Sequence, residues 1–158
     1  MKDVTAIIIA RQGSSRLPGK ALLEVMGKPV LSLIIERLKN IPEVKDICVA
    51  TSNLEVDIPI IELADQEKVL SFSGDPEDVL NRLYYAAKES NAKVIYEVGG
   101  DCPLVDREVL KKAMLLMQKG NYDFVHNFAP TTYPDGLDCP LMTYECLKRV
   151  HQKAVLNS

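Results

Sequence analysis

No apolar run in this 158-residue sequence approaches the ~18 residues that a membrane-spanning helix needs. The first apolar stretch, Val4 to Ala10, is too short for a signal-peptide core followed by a cleavage site, and it runs directly into Arg11, so a cytoplasmic protein is expected. There is no Cys-x-x-Cys among the four cysteines (Cys48, Cys102, Cys139, Cys146) and no histidine at zinc-ligand spacing beside them, which excludes the common zinc patterns and favours reduced, buried thiols. Positive charge is not in excess: the net charge is −3, which argues against a nucleic-acid or membrane-surface binder. With 47% hydrophobic and 26% charged residues the chain also lacks the composition of disordered, collagenous or coiled-coil proteins. A single soluble domain large enough to bury a core is expected.

The charge that is present is unevenly placed. Residues 1–39 carry seven Lys/Arg against three acids, a local +4, and the remaining 119 residues hold −7. That asymmetry points to an anion site near the N-terminus.

Hydrophobic periodicity then sets the frame. Val4 to Ala10 is a β-branched apolar run of the kind buried on both faces of a parallel sheet. A helix is predicted over Pro29 to Asn40, with Val30, Leu33, Ile34, Arg37 and Leu38 at helical spacing. Strands at Asp46 to Thr51, Val69 to Ser73 and Lys93 to Val98 alternate with helices at Asp57 to Lys68 and Pro76 to Ser90, the latter with Asp75 as N-cap. A further helix runs from Asp106 to Lys119, closed by Gly120, then strands at Asp123 to Asn127 and Leu137 to Met142 and a helix from Tyr144 to about Lys153. Strands alternating with helices of this length predict a three-layer α/β fold with a mostly parallel sheet and right-handed crossovers. Ligands in such sheets collect beyond the carboxyl ends of the strands, so the segments after Ala10, Thr51, Ser73 and Val98 are the places to look for chemistry.

Directly after the first strand, Arg11-Gln-Gly-Ser-Ser-Arg-Leu-Pro-Gly-Lys20 brings together three cations, two glycines and two small hydroxyls. Glycines let the backbone approach a polyphosphate and turn its N–H groups inward, while Arg11, Arg16 and Lys20 neutralise its charge. The loop is neither a Walker P-loop, since Gly13 and Gly19 have five residues between them where that motif has four and Ala21 replaces the magnesium-binding hydroxyl, nor a Gly-x-Gly-x-x-Gly fingerprint. The plainer alternative is a solvated basic loop.

The stretch Ala6 to Lys20 resembles the opening signature of the CMP-sugar cytidylyltransferases, a family that includes acylneuraminate and 3-deoxy-manno-octulosonate cytidylyltransferases, and most nearly that of the spore coat polysaccharide biosynthesis protein SpsF group. Three more stretches match that pattern in order: Ser73-Gly-Asp-Pro-Glu-Asp-Val-Leu-Asn-Arg82, Gly100-Asp-Cys-Pro-Leu-Val-Asp106 and Tyr133-Pro-Asp-Gly-Leu-Asp138. The resemblance implies a Rossmann-like nucleotide-diphospho-sugar transferase fold over residues 1–158 as one nucleotidyltransferase domain. It implies that Ala10, Arg11, Gly13, Ser14, Arg16 and Lys20 hold the phosphates of CTP, that Thr51 and Ser52 lie near the base, and that Gly74, Asp78, Arg82 and Gly100 face the nucleotide. It gives Asp101 the magnesium ion, and Tyr133 and Asp138 the acceptor sugar.

Each of these positions has a plainer reading. Thr51 and Ser52 suit a strand end and a turn; Asp78 and Arg82 suit an exposed i, i+4 ion pair; Asp101 suits an Asx-turn; the loop before Asp138 suits a packed surface loop. Asp106 reads as a helix N-cap, and His126 and His151 as structural residues.

Departures from the pattern also stand out. Glu97 and Gly99 occupy positions where relatives carry Arg and Thr, and Pro140 replaces an acid. Relatives continue well past Ser158, with a second metal-binding acid and a dimerising segment, so a domain lacking that C-terminal part is expected. The reading is therefore a magnesium-dependent transferase that moves CMP from CTP to a sugar, expected to be an acidic keto-sugar, with a homodimer as the family habit. The alternatives are an enzyme of the same fold using another nucleoside triphosphate, a glycosyltransferase, for which the Asp-x-Asp is missing, and an inactive nucleotide-binding or scaffold protein.

Overall fold

A computed structural model describes residues 3–13 and 17–154. Its centre is a six-stranded sheet of β1 (Val4–Ile9), β4 (Val44–Ser52), β5 (Leu70–Gly74), β6 (Val94–Gly99), β7 (Phe124–Val125) and β8 (Leu141–Thr143). Their order across the sheet is β5-β4-β1-β6-β8-β7. β1 pairs in parallel with both β4 and β6, and β4 with β5, whereas β8 is antiparallel to β6 and to β7. The sheet is thus mostly parallel, as expected, with an antiparallel edge.

β1 is central because it has no polar face to show. Val4, Ala6 and Ile8 pack on one side of the sheet with α1 (Val30–Lys39), α2 (Ile58–Gln66) and α4 (Arg107–Gly120). Ile7 packs on the other with α3 (Val79–Glu89) and α5 (Tyr144–Lys153). The strand period of two delivers alternate side chains to the two layers, and Ile7 and Ile8, both fully buried, each stabilise the fold by about 1.5–3 kcal/mol. Among the described residues no helix is long and apolar enough to cross a membrane. All four cysteines are free; burial pushes the Cys48 and Cys139 thiols up to about 12, which keeps them protonated and inert.

Several boundaries differ from the sequence reading. α3 starts at Val79, three residues later than predicted, and its N-cap is Asp78, whose Oδ1 accepts the Asn81 N–H at 2.8 Å; Asp75 instead accepts the Glu77 N–H in a local turn. The carbonyls of Asp75 and Pro76, which helix formation would have consumed, go to the Arg82 guanidinium. α4 is closed by Asn121 at φ 49°, not by Gly120, which lies inside the helix. On α1 the buried face is Leu31, Ser32, Ile34, Ile35 and Leu38, leaving Arg37 exposed. β7 and β8 are shorter than predicted. A small hairpin, β2 (Glu24–Val25) with β3 (Lys28–Pro29), was not anticipated; its turn has Met26 and Gly27 both at positive φ, the conformation that matches the twist of two-residue hairpins.

Candidate active site

The chain leaves β1 toward β4 through α1 and returns through α3 to β6 on β1's other side, so the strand order reverses between β1 and β6. In open α/β sheets that reversal opens a crevice beyond the strand ends. The segments after β1 and after β6 flank it, and polar groups tie the ends of β1, β4, β5 and β6 around it.

Three features position the first segment. Ala10 continues the ladder by donating to the Ala50 carbonyl at 3.1 Å. The Gln12 N–H donates to Asp57 Oδ1 at 2.6 Å, and the Gln12 carbonyl accepts the Gly19 N–H at 3.0 Å. Gly19 sits at φ +72°, a conformation that favours glycine, and so closes the loop and delivers Lys20 at the start of a 3-10 turn, Lys20–Leu22. Gly13 faces open space. Ser14 and Arg16, expected in the phosphate cradle, lie outside the described residues.

Across the crevice Gly100 follows β6 and donates to the Ile9 carbonyl at 2.9 Å. A Cβ on Gly100 would stand 2.8 Å from Ala10 Cβ and 2.9 Å from Ile9 O, so a side chain here would push the two flanks apart. Asp101 comes next, and its Oδ2 accepts from the Lys20 ammonium. That hydrogen bond, with the lysine charge behind it, holds the Asp101 carboxyl below the usual carboxylate range. The neighbouring Cys102 thiol is pushed up to about 11 by burial and by Asp101, so it is no nucleophile at neutral pH.

Around β5 the loop 75–76 is gripped from two sides. Arg82 donates through Nη1 to the carbonyls of Asp75 at 2.6 Å and Pro76 at 2.8 Å, and Arg11 donates to the Pro76 carbonyl at 3.2 Å. The exposed i, i+4 ion pair of Asp78 with Arg82 is therefore not formed: Arg82 is 1% exposed, and Asp78 caps its own helix. Burial, then the Arg11 charge, lowers the Arg82 pKa. Gly74 lets this approach happen, since a Cβ there would meet the Phe72 ring at 3.0 Å and Arg82 Cγ at 3.1 Å. Thr51 and Ser52 are buried at the end of β4; Ser52 donates to Asp57 Oδ2, while Thr51 Oγ1 and Arg82 Nε have no protein partner among the described residues.

Tyr133 and Asp138 lie on the β8 side. The Asp138 carbonyl accepts from Tyr96 of β6 at 3.4 Å, which sets Asp138 beside the end of β6, and Tyr133 accepts from Lys112 of α4 at 3.2 Å. Among the described residues no hydrogen bond joins either to Arg11, Lys20 or Asp101. Glu97, two residues before the end of β6, is largely buried, and burial pushes its carboxyl up. Asp57 was missed by the sequence reading. A lone acid in a 3-10 turn (Glu55–Asp57) carries no motif, and its partner Gln12 is 45 residues away.

No group of three or more His, Cys, Asp or Glu side chains that could hold a metal occurs among the described residues. What the site offers a metal is one partly exposed carboxylate, that of Asp101, at the crevice. This suits magnesium, a hard cation that keeps several waters and binds through one or two carboxylates together with substrate phosphates.

A family model described as cytidylyltransferase matches residues 5–156. An uncharacterized protein of Methanocaldococcus jannaschii is 38% identical over 122 residues, covering 77% of this chain and 50% of that protein. The 3-deoxy-manno-octulosonate cytidylyltransferase of Escherichia coli is 34% identical over 120 residues, 72% of this chain and 47% of that one. The spore coat polysaccharide biosynthesis protein SpsF of Bacillus subtilis is 32% identical over 114 residues, 70% and 48% respectively. Among solved structures, a cytidylyltransferase from Leptospira borgpetersenii superposes with a TM-score of 0.91 at 31% identity, covering 99% of this chain and 66% of that one. The chain spans about half the length of these curated relatives.

Proposed function

The chain belongs to the cytidylyltransferase family, and we propose that it transfers CMP from CTP to a hydroxyl of an acidic keto-sugar, releasing pyrophosphate. The single observation that carries this reading is the Lys20–Asp101 pair, a cation and a carboxylate facing each other over the crevice where the strand order reverses. A triphosphate entering there meets Arg11, Lys20 and the backbone N–H groups of the glycine-bearing loop. Thr51, Ser52, Gly74, Asp78, Arg82 and Gly100 shape the pocket for the nucleoside, and Tyr133 and Asp138 hold the sugar.

In the reaction the sugar oxygen forms a bond to the α-phosphorus of CTP and the P–O bond to the β-phosphate breaks. The electron pair leaves with pyrophosphate, and the hydroxyl proton passes to solvent. Such a transfer needs positioning and charge neutralisation more than a covalent intermediate, and the matched positions offer cations and amides rather than a nucleophile with its base. Asp101 would hold magnesium, which when bound neutralises phosphate charge. Lys20 and Arg11 neutralise the remaining charge as the leaving group departs.

The substrate class follows from the relative named as a 3-deoxy-manno-octulosonate cytidylyltransferase, whose sugar is a keto-acid. The relative named for spore coat polysaccharide biosynthesis supports a place in polysaccharide or surface-glycan biosynthesis, and a cytoplasmic location belongs to the same reading. A homodimer belongs to the same reading. A second reading, a nucleotide-binding protein without turnover, draws on Glu97, a buried acid where relatives carry a cation. Pyrophosphate release from CTP with a panel of acidic keto-sugars separates the two: release that depends on both substrates supports the transferase, and nucleotide binding without release supports the second.

A further inference from the structure

Asp57 ends the 3-10 turn between β4 and α2 and is 1% exposed. An isolated buried carboxylate is costly unless donors satisfy it. Here both oxygens are used: Oδ1 accepts the Gln12 N–H at 2.6 Å and Oδ2 accepts from the Ser52 hydroxyl. Ser52 Oγ in turn accepts the Leu54 N–H at 3.3 Å, so the hydroxyl is fixed as a donor toward Asp57.

Gln12 is the hinge of this arrangement. Its N–H goes to Asp57 and its carbonyl accepts the Gly19 N–H, so one residue anchors the near end of the loop to the sheet and closes its far end. Lys20 follows Gly19 at once and reaches Asp101. A chain of bonded groups therefore runs from Asp57 through Gln12 and Gly19 to the cation that faces the crevice. Asp57 makes no hydrogen bond or ion pair with a cation among the described residues, and its field acts on the buried Arg82 from a distance. What it does is take an amide.

We infer that Asp57 is the positioning residue of the phosphate loop, setting through Gln12 and Gly19 where Lys20 presents itself to the triphosphate. This rests on the nucleotide reading above. It differs from a general structural role in one respect: its effect falls more heavily on the phosphates, which the loop meets directly, than on the nucleoside, whose pocket it reaches only through Ser52 and the field at Arg82.

The test compares wild type, Asp57→Ala and Asp57→Asn by amide hydrogen exchange at Gln12 without ligand, and by calorimetric binding of cytidine and of CTP with magnesium. In Asp57→Ala the Gln12 amide should exchange about tenfold faster or more, and CTP affinity should fall by about tenfold, the scale of a lost charge-assisted hydrogen bond, with cytidine affinity falling less. Asp57→Asn keeps an oxygen for the Gln12 N–H and should restore both. Asp57→Ser, too short to reach Gln12 but polar beside Ser52, replaces the alanine variant if that does not fold. Unchanged CTP affinity in Asp57→Ala, or an equal loss for cytidine and CTP, overturns the inference alone. Wild-type protein that binds neither ligand overturns the nucleotide reading and the inference with it.

Discussion

Lys20 and Asp101, 81 residues apart in the chain, pair across the crevice between the ends of β1 and β6, and each explains the other's position. The lysine is delivered by the left-handed Gly19, the acid by the tight contact of Gly100 against β1. Cation and carboxylate satisfy one another across the crevice.

Replacing Lys20 should separate these roles. In Lys20→Ala the Asp101 carboxyl, now held down by the lysine, should titrate at higher pH, and carboxyl-carbon NMR of Asp101 reads this directly. In wild type the depressed pKa means that the pair's contribution to stability is present above the ordinary carboxylate value, about 3.9, and is lost as pH falls through the lower folded value. Turnover should fall by about a hundredfold, the scale of removing one preorganised donor.

Arg82 supports the site from beneath. Its guanidinium is the donor for the Asp75 carbonyl and shares the Pro76 carbonyl with Arg11. Arg82→Ala should cost about 3 kcal/mol, read as a lower urea midpoint, because carbonyls lose their donor and a buried volume empties. Arg82→Lys should recover part of the loss, since an ammonium reaches one carbonyl but lacks the planar fork.

The parallel core was legible because its signal is local: a run such as Val4 to Ile9, apolar but for the buried Thr5, has no solvent face to offer, and three of the four ordered motifs follow directly on β1, β5 and β6, where this fold collects ligands. The start of α3 was not. Asp75 and Asp78 are both good N-caps, and the choice between them rests on Arg82, whose guanidinium claims the 75 and 76 carbonyls. Gly120 and Asn121 pose the same ambiguity at the end of α4, where asparagine takes the left-handed position. Asp57 was illegible for a different reason: its meaning lies in one backbone N–H far along the chain, and no residue type advertises that.

Glu97 offers a pH test that needs no ligand. Burial raises its folded pKa, so the charged carboxylate destabilises the fold above that value, and the penalty is relieved as pH falls through it. Glu97→Gln should therefore raise the Tm at pH 7 by about 2–4 °C. The gain should vanish below the ordinary glutamate value, about 4.3, where wild type is protonated in both states. Thermal scans of both proteins at pH 7 and pH 4 check the sign.

The central claim is that this crevice takes CTP. Thermal unfolding with magnesium and each of CTP, UTP, ATP and GTP tests it most directly. At a hundredfold excess over its dissociation constant a ligand stabilises by about 2.7 kcal/mol, which for a chain of this size predicts a rise of about 5–10 °C with CTP and smaller rises with the others. No rise with any of the four, or the largest rise with a purine triphosphate, would contradict it.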